Sequence, residues 1–246
     1  MITSTSNKQV KHIVQLQKKA RMRREENVFI AEGPRMVMET PKDMLQEIYV
    51  AESFSENWDG PVDEIVSDAV MKAMSDTQTP QGVLAVVKRP SYTLENILAV
   101  RPAHLLLIEE IQDPGNLGTM FRTGEGAGIT GVIMHKNTVD LFHPKTVRST
   151  MGSLYRVPFY VAEDWDKTVR EIAQAGHLQG TKMYDMFDYR SDCAFMIGNE
   201  GNGLTDATAS LADDYLRIPM EGAVESLNAA MAAGILMYEV SRQRRQ

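Results

Sequence analysis

Three clusters of small, amide, hydroxyl and charged residues follow apolar runs, the place where open α/β sheets gather their ligands. The first, QDPGNLGTMFRTGEGAG, comes after the run HLLLIEEI. Pro114 and Gly115 read as a turn, Asn116 as the cap of a helix, and Arg122 as a cation about 1.7 turns beyond that cap. Leu117, Met120 and Phe121 form the apolar stripe of this helix, which leaves Arg122 off the stripe and free to meet an anion. The second cluster, FMIGNEGNGL, is a strand running into a Gly/Asn loop with Glu200 embedded in it. Its glycines let the backbone approach a ligand closely. The third is LRIPMEGAVESLNAAMAAGILMYEV, in which Pro219 stops a strand, Gly222 opens a loop and Ser226 reads as the N-cap of a helix apolar nearly all round.

Other chemistries are poorly served. The stretch GAGITG satisfies G-x-G-x-x-G but ends a helix and precedes a strand, the reverse of the dinucleotide arrangement. The chain holds no Gly-Lys dipeptide, so it has no phosphate-binding P-loop. Cys193 is the single cysteine, and His12, His104, His135, His143 and His177 are scattered, so neither a disulfide framework nor a zinc spacing exists.

The elements that must position these clusters follow an α/β rhythm. NKQVKHIVQLQKKARMRR predicts one amphipathic helix, with Val10, Ile13 and Val14 on its apolar side and cations on the other. The runs VFIAEG, EIYVAE, DEIVS and GVLAVVKR then alternate with the helical stretches PRMVMET and DAVMKAM. KRPSYTLENILAVRP, between Pro90 and Pro102, is the best candidate linker. From His104 a second unit carries the strands HLLLI, GVIM, VPFYVA, CAFMIGN and YLRIPM. Helices are expected between them over 117–127, 145–151 and 164–175, followed by a long one at the end. This alternation predicts a mostly parallel sheet with helices on both faces. There is no internal repeat and no low-complexity tract.

With 246 residues, 43% of them hydrophobic and 24% charged, the chain has room for one large domain or two of roughly 100–150 residues. No apolar run reaches the roughly 18–20 residues that span a bilayer, and residues 1–28 lack an apolar signal core, so a cytoplasmic protein is expected. The net charge of −7 is unevenly spread. Residues 1–24 hold seven cations (Lys8, Lys11, Lys18, Lys19, Arg21, Arg23 and Arg24) and no acid, which leaves −14 on the remainder. Such asymmetry points to an arm that meets a polyanion.

Taken in order, N-x-G-x-x-x-R (Asn116 to Arg122), I-G-N-E-G-x-G (Ile197 to Gly203) and I-P-M-x-G-x-x-x-S-L-N (Ile218 to Asn228) resemble the three signature motifs of the SpoU/TrmH family of RNA ribose 2'-O-methyltransferases. The stretch HPKTVRSTMGS (143–153) is similar to the family's segment between its first two motifs. The N-terminal part and SDTQTPQGVLAVV look like the substrate-binding extension of ribosomal-RNA members, a smaller α/β domain similar to RNA-binding ribosomal proteins. The resemblance implies an RNA substrate-binding domain over 1–95 and a trefoil-knotted methyltransferase domain over 103–246. It also implies S-adenosyl-L-methionine as methyl donor, RNA as substrate, a homodimer, and no metal.

Carried over by position, Arg122, Asn116, Ser226, Asn228 and Glu200 form the catalytic group. Gly198, Asn199, Gly203, Ile218, Met220 and Leu227 hold the cofactor, and the seven N-terminal cations bind RNA. The implied reaction is 2'-O-methylation of a ribose, in 23S ribosomal RNA first of all. A transfer-RNA substrate, a dimer that binds RNA without catalysis, and a nucleotide-dependent enzyme on a conventional Rossmann sheet are the rival readings. The chain departs from the family after Arg122, where Gly124 and Gly126 should weaken the helix by roughly 1 kcal/mol each.

Overall fold

A computed structural model describes residues 1–173, 182–224 and 226–246. The chain divides into two compact units, one of Met1–Pro90 with Asp140–Tyr155, the other of Ser91–Val139 with Arg156–Gln246. In order, the first unit carries α1 (Lys8–Lys18), α2 (Ala20–Glu25), β1 (Val28–Glu32), α3 (Pro34–Met38), β2 (Leu45–Ala51), β3 (Glu64–Val66), α4 (Asp68–Met74) and β4 (Val83–Lys88). The second begins with α5 (Leu94–Leu98), β5 (His104–Ile108), α6 (Pro114–Ala127) and β6 (Gly131–His135). The chain then supplies α7 (Pro144–Thr150) to the first unit before the second resumes with β7 (Phe159–Ala162), α8 (Trp165–Ala173), β8 (Lys182–Met183), β9 (Cys193–Ile197), α9 (Asp206–Ala209), β10 (Leu216–Arg217) and α10 (Ala229–Arg244). The last two residues of the helix expected over 164–175, and His177, lie outside the described residues.

In the first unit the strands run β1-β4-β2-β3, antiparallel except for the β2/β3 pair. Asn7 caps α1 through Gln9 N, and Val10, Ile13 and Leu16 bury their side chains in the core beside Val28 and Leu84. The single helix expected to Arg24 is two, because Lys19 is extended (φ −116, ψ 103). The turn brings Arg23 back under α1, where its Nη1 donates to the carbonyls of Leu16 (2.6 Å) and Gln17 (3.0 Å). Its Nη2 meets Asp140 at 2.6 Å, and the residue is 2% exposed. Arg23 therefore leaves the set of RNA-facing cations, since a guanidinium with these partners has no open face for a phosphate.

The segment 140–155 joins the first unit through its aromatics and its charges. Phe142 and Tyr155 pack on Phe29, with ring centroids 5.1 and 6.1 Å away. The Thr40 hydroxyl donates to Tyr155 Oη at 2.8 Å, and Arg148 meets Asp76 at 2.9 Å. The HPKTVRSTMGS stretch thus folds with the N-terminal unit, and residues 91–95 fold with the second.

The second unit holds an all-parallel sheet in the order β7-β6-β5-β9, and β8 and β10 form a short parallel pair. Every residue of β5 is buried, as an apolar run in a parallel sheet requires. Two expected caps are displaced. Asp113, not Asn116, caps α6 by accepting from Asn116 N at 2.8 Å, and Pro114 enters as the first helical residue rather than forming a turn. Asn228, not Ser226, caps α10, its Oδ1 accepting from Ala230 N and Met231 N. Both shifts free the residue expected to cap for another task.

Leu117, Met120 and Phe121 are fully buried, and α6 packs along α10. The departure from the family pattern has a packing reason here. A Cβ on Gly124 would stand 2.4 Å from Ile129 Cδ1 and 3.3 Å from Met237 Sδ, and one on Gly126 would stand 2.9 Å from Tyr238 Oη. At the far end of α10, Arg244 donates to the carbonyls of Tyr189, Pro102, Ala103 and Ser191.

His104 opens β5 with 1% exposure, and its Nε2 has no hydrogen-bond partner among the described residues. Burial, helped by the nearby Arg244 charge, pushes its pKa down to about 4 against a hydrogen bond with the Gly128 backbone. The unfolded chain takes up this proton near pH 6.5 and the folded one only near 4, so the stabilisation is complete above 6.5 and is lost as pH falls through that window. Unfolding free energies from urea titrations should drop between pH 6.5 and 4.5, by up to ~2–3 kcal/mol. His104→Phe should flatten that slope.

Candidate active site

The site is assembled where β5 and β9 end and where α6 and α10 begin. After β5 the chain passes Glu110, a non-glycine residue at φ 56, and then turns the backbone N–H groups of Gln112 and Asp113 toward Glu200 just ahead of α6. After β9 the loop folds back on itself, Asn199 and Gly203 exchanging backbone hydrogen bonds of 3.0 and 2.9 Å. The Asn199 side chain braces it, its Nδ2 donating to Glu110 O (2.9 Å) and its Oδ1 accepting from Gly201 N and Asn202 N.

Glu200 projects from this loop onto the start of α6. Its Oε2 accepts from Gln112 N at 3.1 Å, and its Oε1 from Asp113 N at 3.1 Å and from Asn116 Nδ2 at 3.0 Å. Burial opposes the charge, but these donors, Asn116 foremost, outweigh it and hold the carboxyl below the usual glutamate range. Asn116 Oδ1 in turn accepts from Asn228 Nδ2 at 2.9 Å. The direction of the chain is fixed at both ends, because Glu200 only accepts and Asn228 Oδ1 is taken by the amides it caps. One hydrogen-bonded line therefore joins a residue from each of the three motifs.

The remaining candidates fall around this line. Arg122 is exposed and makes no hydrogen bond or ion pair within the described residues. Ser226 is exposed and likewise uncommitted. Ile218, Met220, Leu227 and Ser226 line a cavity of about 730 Å3 that reaches back to Leu105 and Leu107 of β5. Gly198, Asn199 and Gly203 do not line it, although their neighbours Ile197 and Leu204 do. Nor do Arg122, Asn116, Asn228 and Glu200. Among the described residues no group of three or more His, Cys, Asp or Glu is placed to hold a metal ion, and no helix is long and apolar enough to cross a membrane. On the first unit, Lys8, Lys11, Lys18, Lys19, Arg21 and Arg24 are exposed, with Arg21 paired to Glu25 at 2.6 Å.

Sequence reasoning missed the backbone donors at Gln112 and Asp113 and the buried Glu109. The signal for them was present in three acids, Glu109, Glu110 and Asp113, set between an apolar strand and a proline that opens a helix.

A family model for the SpoU rRNA Methylase family matches residues 103–238, and one for the MRM3-like substrate binding domain matches residues 7–85. The chain is 34% identical over 250 residues to the 23S rRNA (guanosine(2553)-2'-O)-methyltransferase RlmP of Bacillus subtilis (strain 168), covering 97% of this chain and 98% of that one. The crystal structure of an AdoMet-bound rRNA methyltransferase from Sinorhizobium meliloti is similar with a TM-score of 0.82 and 30% identity, covering 98% of this chain and 97% of that one. The SpoU methyltransferase AviRb from Streptomyces viridochromogenes, in complex with AdoMet, gives a TM-score of 0.83 and 26% identity over 97% of this chain and 98% of its own. With more than half its length matched by that first model, and with the three motifs joined at one place, the chain belongs to the SpoU rRNA methylase family.

Proposed function

We propose that this chain methylates the 2'-hydroxyl of a ribose in ribosomal RNA with S-adenosylmethionine as donor, acting as a cytoplasmic homodimer. The hydrogen-bonded line from Glu200 through Asn116 to Asn228, with Arg122 close by in sequence on α6 and unpaired within the described residues, carries this reading. The cavity suits the cofactor in size and in its mainly apolar wall, with Ile218, Met220 and Leu227 to hold it and Ile197 and Leu204, on either side of the 198–203 loop, in its wall. When bound, this cofactor supplies a methyl group already activated on a sulfonium.

What the protein must add is alignment and charge stabilisation, of which alignment supplies up to roughly 7–11 kcal/mol in ideal cases. A guanidinium with a pKa above about 12 is a poor base, so Arg122 grips a phosphate and steadies negative charge growing on the ribose oxygen. Asn116 and Asn228 each spend one amide hydrogen on the line and keep the other for substrate. The Ser226 hydroxyl, uncommitted at the cavity wall, helps orient the reacting hydroxyl. Glu200 tenses the frame rather than acting as the base.

RNA binding is assigned to the exposed cations of the N-terminal residues 1–95, and methyl transfer to 103–246. Removing residues 1–24 would strip Val10, Ile13 and Leu16 from the core, so charge removal is the cleaner test. Replacing Lys8, Lys11, Lys18 and Lys19 by Gln should weaken RNA binding and flatten its log–log salt dependence by up to ~3. The melting temperature should stay put; an unchanged salt slope would take the arm out of the account.

The dimer is proposed through α10, which leaves the large apolar side chains of Met231 59% and Tyr238 47% exposed. The trefoil knot is proposed with it, on the resemblance of the three motifs to the family. The deciding experiment incubates the protein with labelled donor and ribosomal or transfer RNA and maps the methylated ribose. Label on one ribosomal ribose is expected. Label on transfer RNA alone would move the substrate, and no label on either would end the proposal.

A further inference from the structure

Glu109 is a carboxylate only 4% exposed, a group that is costly to bury unless every oxygen is satisfied. Its Oε2 accepts from Thr205 N at 2.9 Å, and its Oε1 from the hydroxyls of Thr205 (2.9 Å) and Thr208 (2.5 Å). Its own N–H donates to Ile197 O at 2.8 Å. Thr208 is held from the other side by Trp165, whose Nε1 donates to its hydroxyl at 2.9 Å. These contacts fasten the far end of the loop that begins at Gly198. The near end is fastened by the next residue, through Asn199 Nδ2 on Glu110 O. Two consecutive residues leaving β5 thus clamp both ends of the loop whose middle carries Glu200.

We propose that Glu109 is a positioning residue for methyl transfer, setting the 198–205 loop so that Glu200 holds the first turn of α6 and, through Asn116, Asn228. The inference rests on the proposed RNA methylation for its catalytic consequence, but the clamp exists without it. A core whose only need was burial would be served by an apolar residue at this position. A carboxylate met by three directional donors specifies one loop geometry, and small displacements of a reacting frame are expensive in rate.

The test is Glu109→Gln in the full chain, which keeps the shape and leaves one side of the group mismatched. We expect kcat to fall roughly 10- to 100-fold with the KM for RNA within about 2-fold. The Gln112 and Asp113 amides, which Glu200 accepts from, should exchange with solvent about 10-fold faster or more in the protein without cofactor. In the Glu200→Gln background the same substitution should add less than about 2-fold, because its effect travels through Glu200. If Glu109→Gln lowers the melting temperature by more than ~5 °C, Thr208→Val, which removes a single partner hydroxyl, is read by the same criteria. An unchanged kcat, unchanged amide exchange, or a full additional loss in the Glu200→Gln background would overturn the proposal. If the unsubstituted chain methylates no RNA, the functional reading falls, while faster exchange at Gln112 and Asp113 still supports the clamp and unchanged exchange still overturns it.

Discussion

Arg122→Ala should abolish methyl transfer, by about 10²–10³-fold or more in kcat, while S-adenosylmethionine affinity stays within about 2-fold. Arg122 stands outside the cavity wall, is exposed, and has no partner within the described residues, so its removal leaves neither a hole in the core nor an orphaned acid. The loss would therefore report on interaction with RNA and with charge developing in the transition state. Arg122→Lys keeps the charge but not the planar fork, and should recover only a small part of the rate. Single-turnover kinetics with saturating RNA, beside calorimetry of cofactor binding, separates these effects. Near-normal turnover in the alanine variant would remove Arg122 from the mechanism.

Gly198→Ala should be the most damaging small substitution in the loop. Its Cβ would lie 2.1 Å from Gly203 C and 2.2 Å from Leu204 N, and these are backbone atoms that cannot swing away. The Asn199–Gly203 turn must open to admit the methyl group, and Glu200 moves with it. Activity should fall at least ~100-fold, with a loss of stability of roughly 1–3 kcal/mol from the forced shift. The methyl group at 198 acts only through the turn, so the Gln112 and Asp113 amides should lose protection together with activity. An alanine variant with wild-type exchange at those amides would mean that the turn is not what sets Glu200.

Much of this site was legible in the order of residues. The apolar runs HLLLI, GVIM and CAFMI announced a parallel sheet, and three short motifs at strand ends marked where its ligands gather. What escaped were choices between equally competent residues. Asp113 and Asn116 can both cap a helix, and Pro114 decides for Asp113 because its fixed φ suits the first helical position. Ser226 and Asn228 pose the same choice, settled by the Asn116 amide waiting for the Asn228 side chain. Arg23 reads as one more cation of a basic arm, and the carboxylate that pairs its charge once it turns inward, Asp140, lies 117 residues away. Local spacing carries no trace of so distant a partner.

The placement of residues 140–155 also orders events during synthesis. An N-terminal unit generally folds as it leaves the ribosome, yet this one lacks α7 and the Phe142 and Tyr155 rings on Phe29 until Tyr155 has emerged. By then β5, α6 and β6 of the second unit are already made and waiting for β9. The line from Glu200 to Asn228 closes later still, once Asn228 has emerged. A growing chain can therefore finish the unit assigned to holding RNA before it owns an active site, and the capacity to methylate arrives only with α10.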